Sequence, residues 1–425
     1  MGATGWVKGR VESYQGDELV VALPHLRLVR SELERLGARP IEQDEDAGLG
    51  LALLTLPHDE LPKAVAELAR RPRVKAEMER ARASRIERAP RLADDYPALD
   101  DLLVGLRTLF AEENGGWQPT LGKNRIIALS GAPYISGGGE GAPKRAAKLT
   151  LRDSLRPGRG VRIGVIDTKL CEHPWLDDSY DAAPGGLLPL DQARKGGKLA
   201  SAVIGHATFV SGMILQRAPG ATLEISPVLD DRAQGTVWKA AQRIVQFAGS
   251  GVDILNCSFV CFTDDDDAPL VLATAIDRLG PEVVVVAAAG NHGDPNAKSE
   301  ELPDLEPNKP SWPAALDEVV AVGAEDAKGE RANFSPDAKW VDRYELGVDV
   351  RSTYVTGEVL GERLRPEPGP NGELTEKVEL KFAEPYATWD GTSFAAATFS
   401  GRIAAGIQPG RLEAREVVRQ LLDSP

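Results

Sequence analysis

Four side chains, spread over more than half of the chain, have the types needed for nucleophilic acyl transfer: Asp167, His206, Asn291 and Ser393. A serine hydroxyl is a weak nucleophile until a neighbouring histidine takes its proton. The histidine needs a carboxylate to fix its tautomer and stabilise its charged form. The tetrahedral oxyanion needs donors, which the Asn291 amide and the Ser393 backbone N–H can supply. Taken singly, each residue has a plain structural explanation: a strand-end cap, a core histidine, a loop amide, a Gly-Thr-Ser turn. In this order, and in these local settings, they point to one chemistry.

The elements that must position them are legible. Asp167 closes the apolar run VRIGVID at 161–167. An unpaired buried carboxylate is very costly, so Asp167 demands a partner. His206 opens a predicted helix in GHATFVSG, and Asn291 directly follows VVVVAAAG. Ser393 lies in DGTSFAAATFSG, a small-residue stretch expected to start a helix, where the dipole and free N–H groups favour negative charge. Further apolar runs lie at 221–229, 252–260, 282–290 and 319–325, with helical stretches at 205–217, 235–249 and 268–279. Near-continuous apolar strands alternating with helices predict a doubly wound, mostly parallel α/β sheet. In such folds, sites lie beyond the carboxyl ends of the strands.

These motifs resemble those of the subtilisin-like serine peptidases, the S8 or subtilase family. The matching stretches include VRIGVIDT, GHATFVSGMI, ILNCSF, VVVAAAGNHG, WPAALDEVVAVGA and GTSFAAATFSGRIAA, within roughly 157–408. The resemblance implies an endopeptidase acting through an acyl-enzyme, with no required organic cofactor. Asp167 would orient, His206 act as base then acid, Ser393 attack, and Asn291 hold the oxyanion. Ser258, Phe259 and Val260 would line the primary pocket, with Ala288 and Gly290 in the opposite wall, and Gly235 would clamp the substrate backbone. An extended substrate would bind by adding a strand. Lys169, Ala207, Val260, Cys261 and Ala397 depart from the family's usual glycines and proline, which bears on substrate preference and predicts a narrow pocket.

The amino-terminal part reads differently. Residues 17–58 predict strand, helix, strand; 59–90 one or two helices; and 96–113 another helix. The Gly/Pro-rich region 114–156 reads as a linker carrying a short strand at NRIIAL. Three segments follow: a smaller α/β domain at 1–113, regulatory or propeptide-like, the linker, and the peptidase domain at 157–425. A propeptide would inhibit in cis and be cleaved near 134–160; the alternative is a permanent adaptor. The polar 355–385 segment reads as a surface hairpin.

Net charge is −14, and residues 1–150 hold equal numbers of acidic and basic side chains, so the whole excess falls on the rest. This argues against general nucleic-acid or anionic-membrane binding. A basic run from Arg70 to Arg91 is either a solvated helix face or a surface for the acidic remainder. Asp264–Asp267 reads as a solvated loop, an acidic subsite or a calcium site. Three cysteines make no disulfide framework, and neither a signal peptide nor a membrane span is seen, so a cytoplasmic location is expected. Reactive roles stay open for Cys171 and Cys261, and substrate contact for His292. The competing function is a latent or catalytically weak subtilase scaffold that binds peptides.

Overall fold

The computed structural model describes the chain apart from residues 1–5, 9–10, 89–95, 130–140, 151–156, 191–193, 196–197, 297–301, 303, 365–374 and 424–425. It divides into two units. The first gathers Met1–Ile126 with Thr236–Gln242 and Thr263–Arg278; the second gathers Ile127–Gly235, Arg243–Phe262 and Leu279–Pro425.

In the first unit, the strand Ser13–Ala22 lies between two antiparallel neighbours, Leu51–Thr55 and the start of Leu121–Leu129. The helix Leu23–Arg35 begins at once, with proline in its first turn, where a missing N–H costs nothing. Gly37, at φ +82, follows the helix end. Helices Leu61–Leu68, Pro72–Arg88 and Ala98–Glu113 follow, the first and last burying apolar faces in a core that includes Leu19, Val29, Leu54 and Leu106. Among the strands that the sequence reading does not include is Glu42–Asp46. It is almost wholly charged and exposed, yet pairs along its length with the apolar Leu51–Thr55. Pairing with a buried neighbour overrides its poor strand propensity, and its charges suit an edge.

The two later pieces join this unit through polar contacts. Asp264 accepts hydrogen bonds from Val11 N (2.7 Å) and Glu12 N (3.0 Å) and pairs with Arg85 (3.0 Å). Asn124 Oδ1 accepts from Trp238 N (3.1 Å), and Asp44 from Trp238 Nε1 (2.7 Å). Asp264 is therefore taken up inside the unit, unlike the solvated loop expected, while Asp265–Asp267 stay exposed. Arg85 comes from the basic run, so that run is not merely a solvated face.

Glu12, 2% exposed, anchors the cluster. It meets Lys123 at 2.6 Å, Arg125 at 3.0 Å and Arg85 at 2.5 Å. Lys123 and Arg85 also hold Asp100, which accepts from the Tyr14 hydroxyl at 2.7 Å. Burial alone would raise the Glu12 pKa; the three cations outweigh it and hold the carboxyl well below the usual range.

The second unit carries seven parallel strands. Across the sheet they run Arg343–Leu346, Val319–Glu325, Val284–Ala288, Ile254–Cys257, Arg162–Asp167, Thr222–Pro227 and Tyr180–Ala182. Val284–Ala288 and Ile254–Cys257 are buried throughout, as continuous apolar strands require. From Arg162–Asp167 the chain goes to the edge strand Tyr180–Ala182, comes back to the adjacent Thr222–Pro227, and then crosses to the adjacent strand on the other side, Ile254–Cys257. The order thus reverses at Asp167, the switch point where α/β sheets form sites.

Helices His206–Arg217 and Thr392–Gly406 pack together, with close approach at Gly401, where a Cβ would lie 2.6 Å from Ile214 O. Gly212 lets the strand Val350–Thr353 approach the first of these helices. A Cβ there would fall 2.3 Å from the hydroxyls of both Ser352 and Thr353. Those hydroxyls donate to the Phe209 and Thr208 carbonyls.

The region 114–156 is more than a linker. Its strand spans nine residues, Leu121–Leu129, and Lys144–Arg145 pairs with Tyr386–Trp389. Most of its Gly-rich centre lies outside the described residues. The expected hairpin is present as Gly357–Leu364 against Thr375–Phe382.

Removing the Glu12 charge takes a shared buried anion from Arg85, Lys123 and Arg125. Glu12→Gln should lower unfolding stability by ~3–5 kcal/mol in denaturant titration, against less than ~1 kcal/mol for Arg30→Gln at an exposed pair. Because the native carboxyl titrates below its unfolded value, the wild-type advantage holds above pH ~4.5 and is lost as pH falls further.

Candidate active site

Three strand ends and two helix starts converge in the second unit. Asp167 ends its strand fully buried, and Val228 N and Leu229 N donate to its carbonyl. The His206 Nδ1–H donates to both carboxylate oxygens, at 2.8 and 2.9 Å. Thr168 N donates to the same carboxylate at 2.6 Å, and Thr168 Oγ1 accepts from Ala207 N at 3.1 Å. Thr168 thus ties the first turn of the histidine helix to the strand bearing its carboxylate. The imidazole packs 5.4 Å (centroid to centroid) from Phe394 and 5.8 Å, edge to face, from Trp389. Phe394 is the residue after Ser393, so it brings the start of the serine helix against the imidazole.

Asn291 is fully buried and directed by Thr392. Its Oδ1 accepts from Thr392 N (3.0 Å) and Thr392 Oγ1 (2.9 Å), while Gly290 N donates to Thr392 Oγ1 (3.0 Å). Two donors on the oxygen fix which end of the amide is nitrogen. The Nδ2 has no acceptor among the described residues, which is the state expected of a donor kept for a transient charge. Ser258 Oγ donates to the Ser393 carbonyl at 3.4 Å. Asn256 links Ser258 (2.9 Å) to Ser400 (3.0 Å), so a buried polar chain braces the serine helix.

The expected subsite residues also gather here. Ser258 and Phe259 are fully buried, Val260 is 7% exposed, and Ala288 is 1% exposed. An atom placed where a Cβ would sit on Gly290 lies 3.5 Å from Val260 Cγ1. The chain's own segment Ile127–Leu129 pairs antiparallel with Phe259–Val260, Leu129 opposite Phe259 and Ala128 opposite Val260. Leu129 N also donates to the Ala233 carbonyl at 3.2 Å. Gly235 lies beside this segment, its Cβ position 3.4 Å from Ile127 Cγ1.

Thr168, Thr392 and Trp389 were missed by sequence reasoning. Each flanks a predicted residue, but only folded geometry shows what it touches. Cys171 is buried and its thiol pushed up to about 12 by burial, which removes the reactive role left open for it. Among the described residues, no group of three or more His, Cys, Asp or Glu is arranged to hold a metal, so the calcium reading gains nothing. A cavity of about 450 Å³ in the first unit is lined by Arg85, Lys123 and, from the aspartate run, Asp264, Asp265 and Asp267, and contains none of the predicted catalytic or pocket residues.

The family model for the subtilase family matches residues 158–423, and the chain belongs to that family. It is 29% identical over 282 residues to the thermophilic serine proteinase of Bacillus sp. (strain AK1), covering 64% of this chain and 58% of that protein. It is 30% identical over 206 residues to subtilisin Savinase of Lederbergia lenta, covering 46% of this chain and 67% of that protein. An intracellular serine protease of Paenibacillus polymyxa is 27% identical over 257 residues, covering 58% of this chain and 66% of that protein. The chain thus spans somewhat over half the length of the first of these relatives. Among the described residues, no helix is long and apolar enough to cross a membrane.

His292, next to Asn291, is buried rather than exposed to substrate: its Nε2 contacts the Lys309 carbonyl at 2.8 Å. Burial lowers its pKa from 6.5 to about 4, against the smaller opposing effect of that carbonyl. Between these values the unfolded chain binds the proton and the folded chain does not, so stability falls as pH drops through the window. In thermal melts from pH 7 to 4, His292→Gln should flatten this fall, by at most about 1.4 kcal/mol per pH unit.

Proposed function

We propose that this chain is a serine endopeptidase that hydrolyses peptide bonds through an acyl-enzyme. The observation that carries the reading is the buried Asp167–His206 pair beside an Asn291 amide held by the residue preceding Ser393. Family membership supports it.

In the proposed reaction, His206 Nε2 takes the Ser393 hydroxyl proton as Oγ bonds to the substrate carbonyl carbon. The carbonyl oxygen takes up the negative charge and receives hydrogen bonds from Asn291 Nδ2 and the Ser393 N–H. His206 then gives its proton to the departing amine as the C–N bond breaks. Water attacks the ester by the same route and frees Ser393. Asp167 holds the ring and balances its charge. The chemistry draws on side chains and backbone alone and calls for no organic cofactor. Likeness to the intracellular Paenibacillus protease supports a cytoplasmic setting.

A latent resting state is the second reading, and one observation favours it. Ile127–Leu129 occupies the edge of Phe259–Val260 that an extended substrate would use. We infer that the amino-terminal part restrains the enzyme through this segment. A permanently non-catalytic scaffold has less support, since the buried polar set is complete in type.

Ser393→Ala should abolish both fluorophosphonate labelling and peptide turnover with the melting temperature unchanged. Asn291→Ala should keep labelling but lower kcat by ~10²–10³-fold, the usual cost of deleting one such donor. Wild-type turnover in the serine variant would refute the assignment. Leu129→Pro removes the donor to Ala233 and should raise the labelling rate of the full chain; an unchanged rate would end the latency reading.

A further inference from the structure

Two stretches of chain are tied to the start of the serine helix. One is Ser258–Val260, joined to the serine helix through the Ser258 hydroxyl. The other is Ala288–Asn291, joined to it through Thr392. Between them the isopropyl group of Val260 reaches across. The Cβ position of Gly290 is in ordinary van der Waals contact with it, at 3.5 Å. Gly290 has φ +92 and no side chain of its own; the space at its Cβ position is bounded by the His292 imidazole, with Nδ1 2.8 Å away, and by Val260 Cγ1.

The far end is closed as well. Cys261 and Trp312 exchange two backbone hydrogen bonds, each 2.9 Å, and both side chains are buried. Ser311, fully buried, donates to the Ala289 carbonyl at 2.9 Å. This end cannot open without breaking these bonds.

The segment Ile127–Leu129 shows how an extended peptide runs along this wall: Ala128 opposite Val260, then Leu129 opposite Phe259. The next residue of a peptide bound in that register stands opposite Ser258, beside the nucleophile. Its carbonyl carbon must face Ser393 and its oxygen Asn291. Its side chain is then directed into the slot that Val260 fills.

We propose that Val260 limits the acyl-side residue of the cleaved bond to Gly, Ala or Ser. This deepens the peptidase reading and rests on it. A closed core resists overpacking, and one methylene in an apolar pocket already alters selectivity by ~10–200-fold. A phenylalanine exceeds the space by far more.

The test uses fluorogenic peptides identical except for Ala or Phe at the acyl position. They are assayed with the full chain, alone and carrying Leu129→Pro, beside a fluorophosphonate label. The Ala peptide should exceed the Phe peptide in kcat/KM by ~10²-fold or more. Val260→Ala and then Val260→Gly should lower that ratio stepwise, by at least ~10-fold for the glycine variant. Equal cleavage of both peptides by the unmutated pocket would overturn the proposal, even if neither variant folds. So would an unchanged ratio in folded, labelled variants. Absence of both labelling and turnover in every form would instead remove the peptidase reading, and this one with it.

Discussion

The buried pairing of Asp167 with His206 constrains everything around it. Neither side chain reaches water, so each must satisfy its polar atoms within the protein. The carboxylate does so by accepting from the imidazole and from Thr168 N. That requires the end of one parallel strand and the first turn of one helix to meet in a fixed register. The Thr168 bond to Ala207, the Ser352 and Thr353 hydroxyls and the absent side chain at Gly212 all serve that register. Loss of any one would leave buried polar groups unmatched, which is why small hydroxylated residues crowd this end of the sheet.

The serine helix is fixed by the same logic from the other side. Asn291, Thr392 and Gly290 form a short closed set of hydrogen bonds, and Ser400, Asn256 and Ser258 form another that ends on the Ser393 carbonyl. Between them, the helix start has little freedom to rotate. A group that must receive charge only briefly benefits from such preorganisation, because nothing has to move when the charge arrives. The aromatic packing of Phe394 and Trp389 on the imidazole excludes water from the same region.

The first unit relies on a different balance. Its apolar core is ordinary, but of the pieces drawn from later in the chain one attaches through hydrogen bonds of Trp238 and the other in part through the charge of Asp264. Glu12, Asp100 and Asp264 face Arg85, Lys123 and Arg125, a set with equal numbers of each sign. Burying such a set is tolerable because Glu12, Asp100, Arg85 and Lys123 each have two or more partners of opposite sign; with one missing, the rest are poorly compensated. Specific bonds from Val11 N and Glu12 N select Asp264 alone among four consecutive aspartates.

The amino-acid order by itself determined the parallel sheet, the four polar residues at its strand and helix ends, and the type of chemistry they suit. Those signals are local: continuous apolar runs, and polar residues where such runs stop. Sequence did not reveal the charged strand Glu42–Asp46, whose pairing depends on a neighbour, or the full Leu121–Leu129 strand inside a region rich in turn residues. Nor did it reveal that Arg85 and Asp264, 179 residues apart, would meet. Tertiary structure alone decided that Thr392 turns the Asn291 amide, that Val260 reaches the opposite wall at Gly290, and that Ile127–Leu129 pairs with Phe259–Val260. Each is a contact between segments distant along the chain. Local propensity carries no information about such meetings, because they are fixed only when the whole core packs.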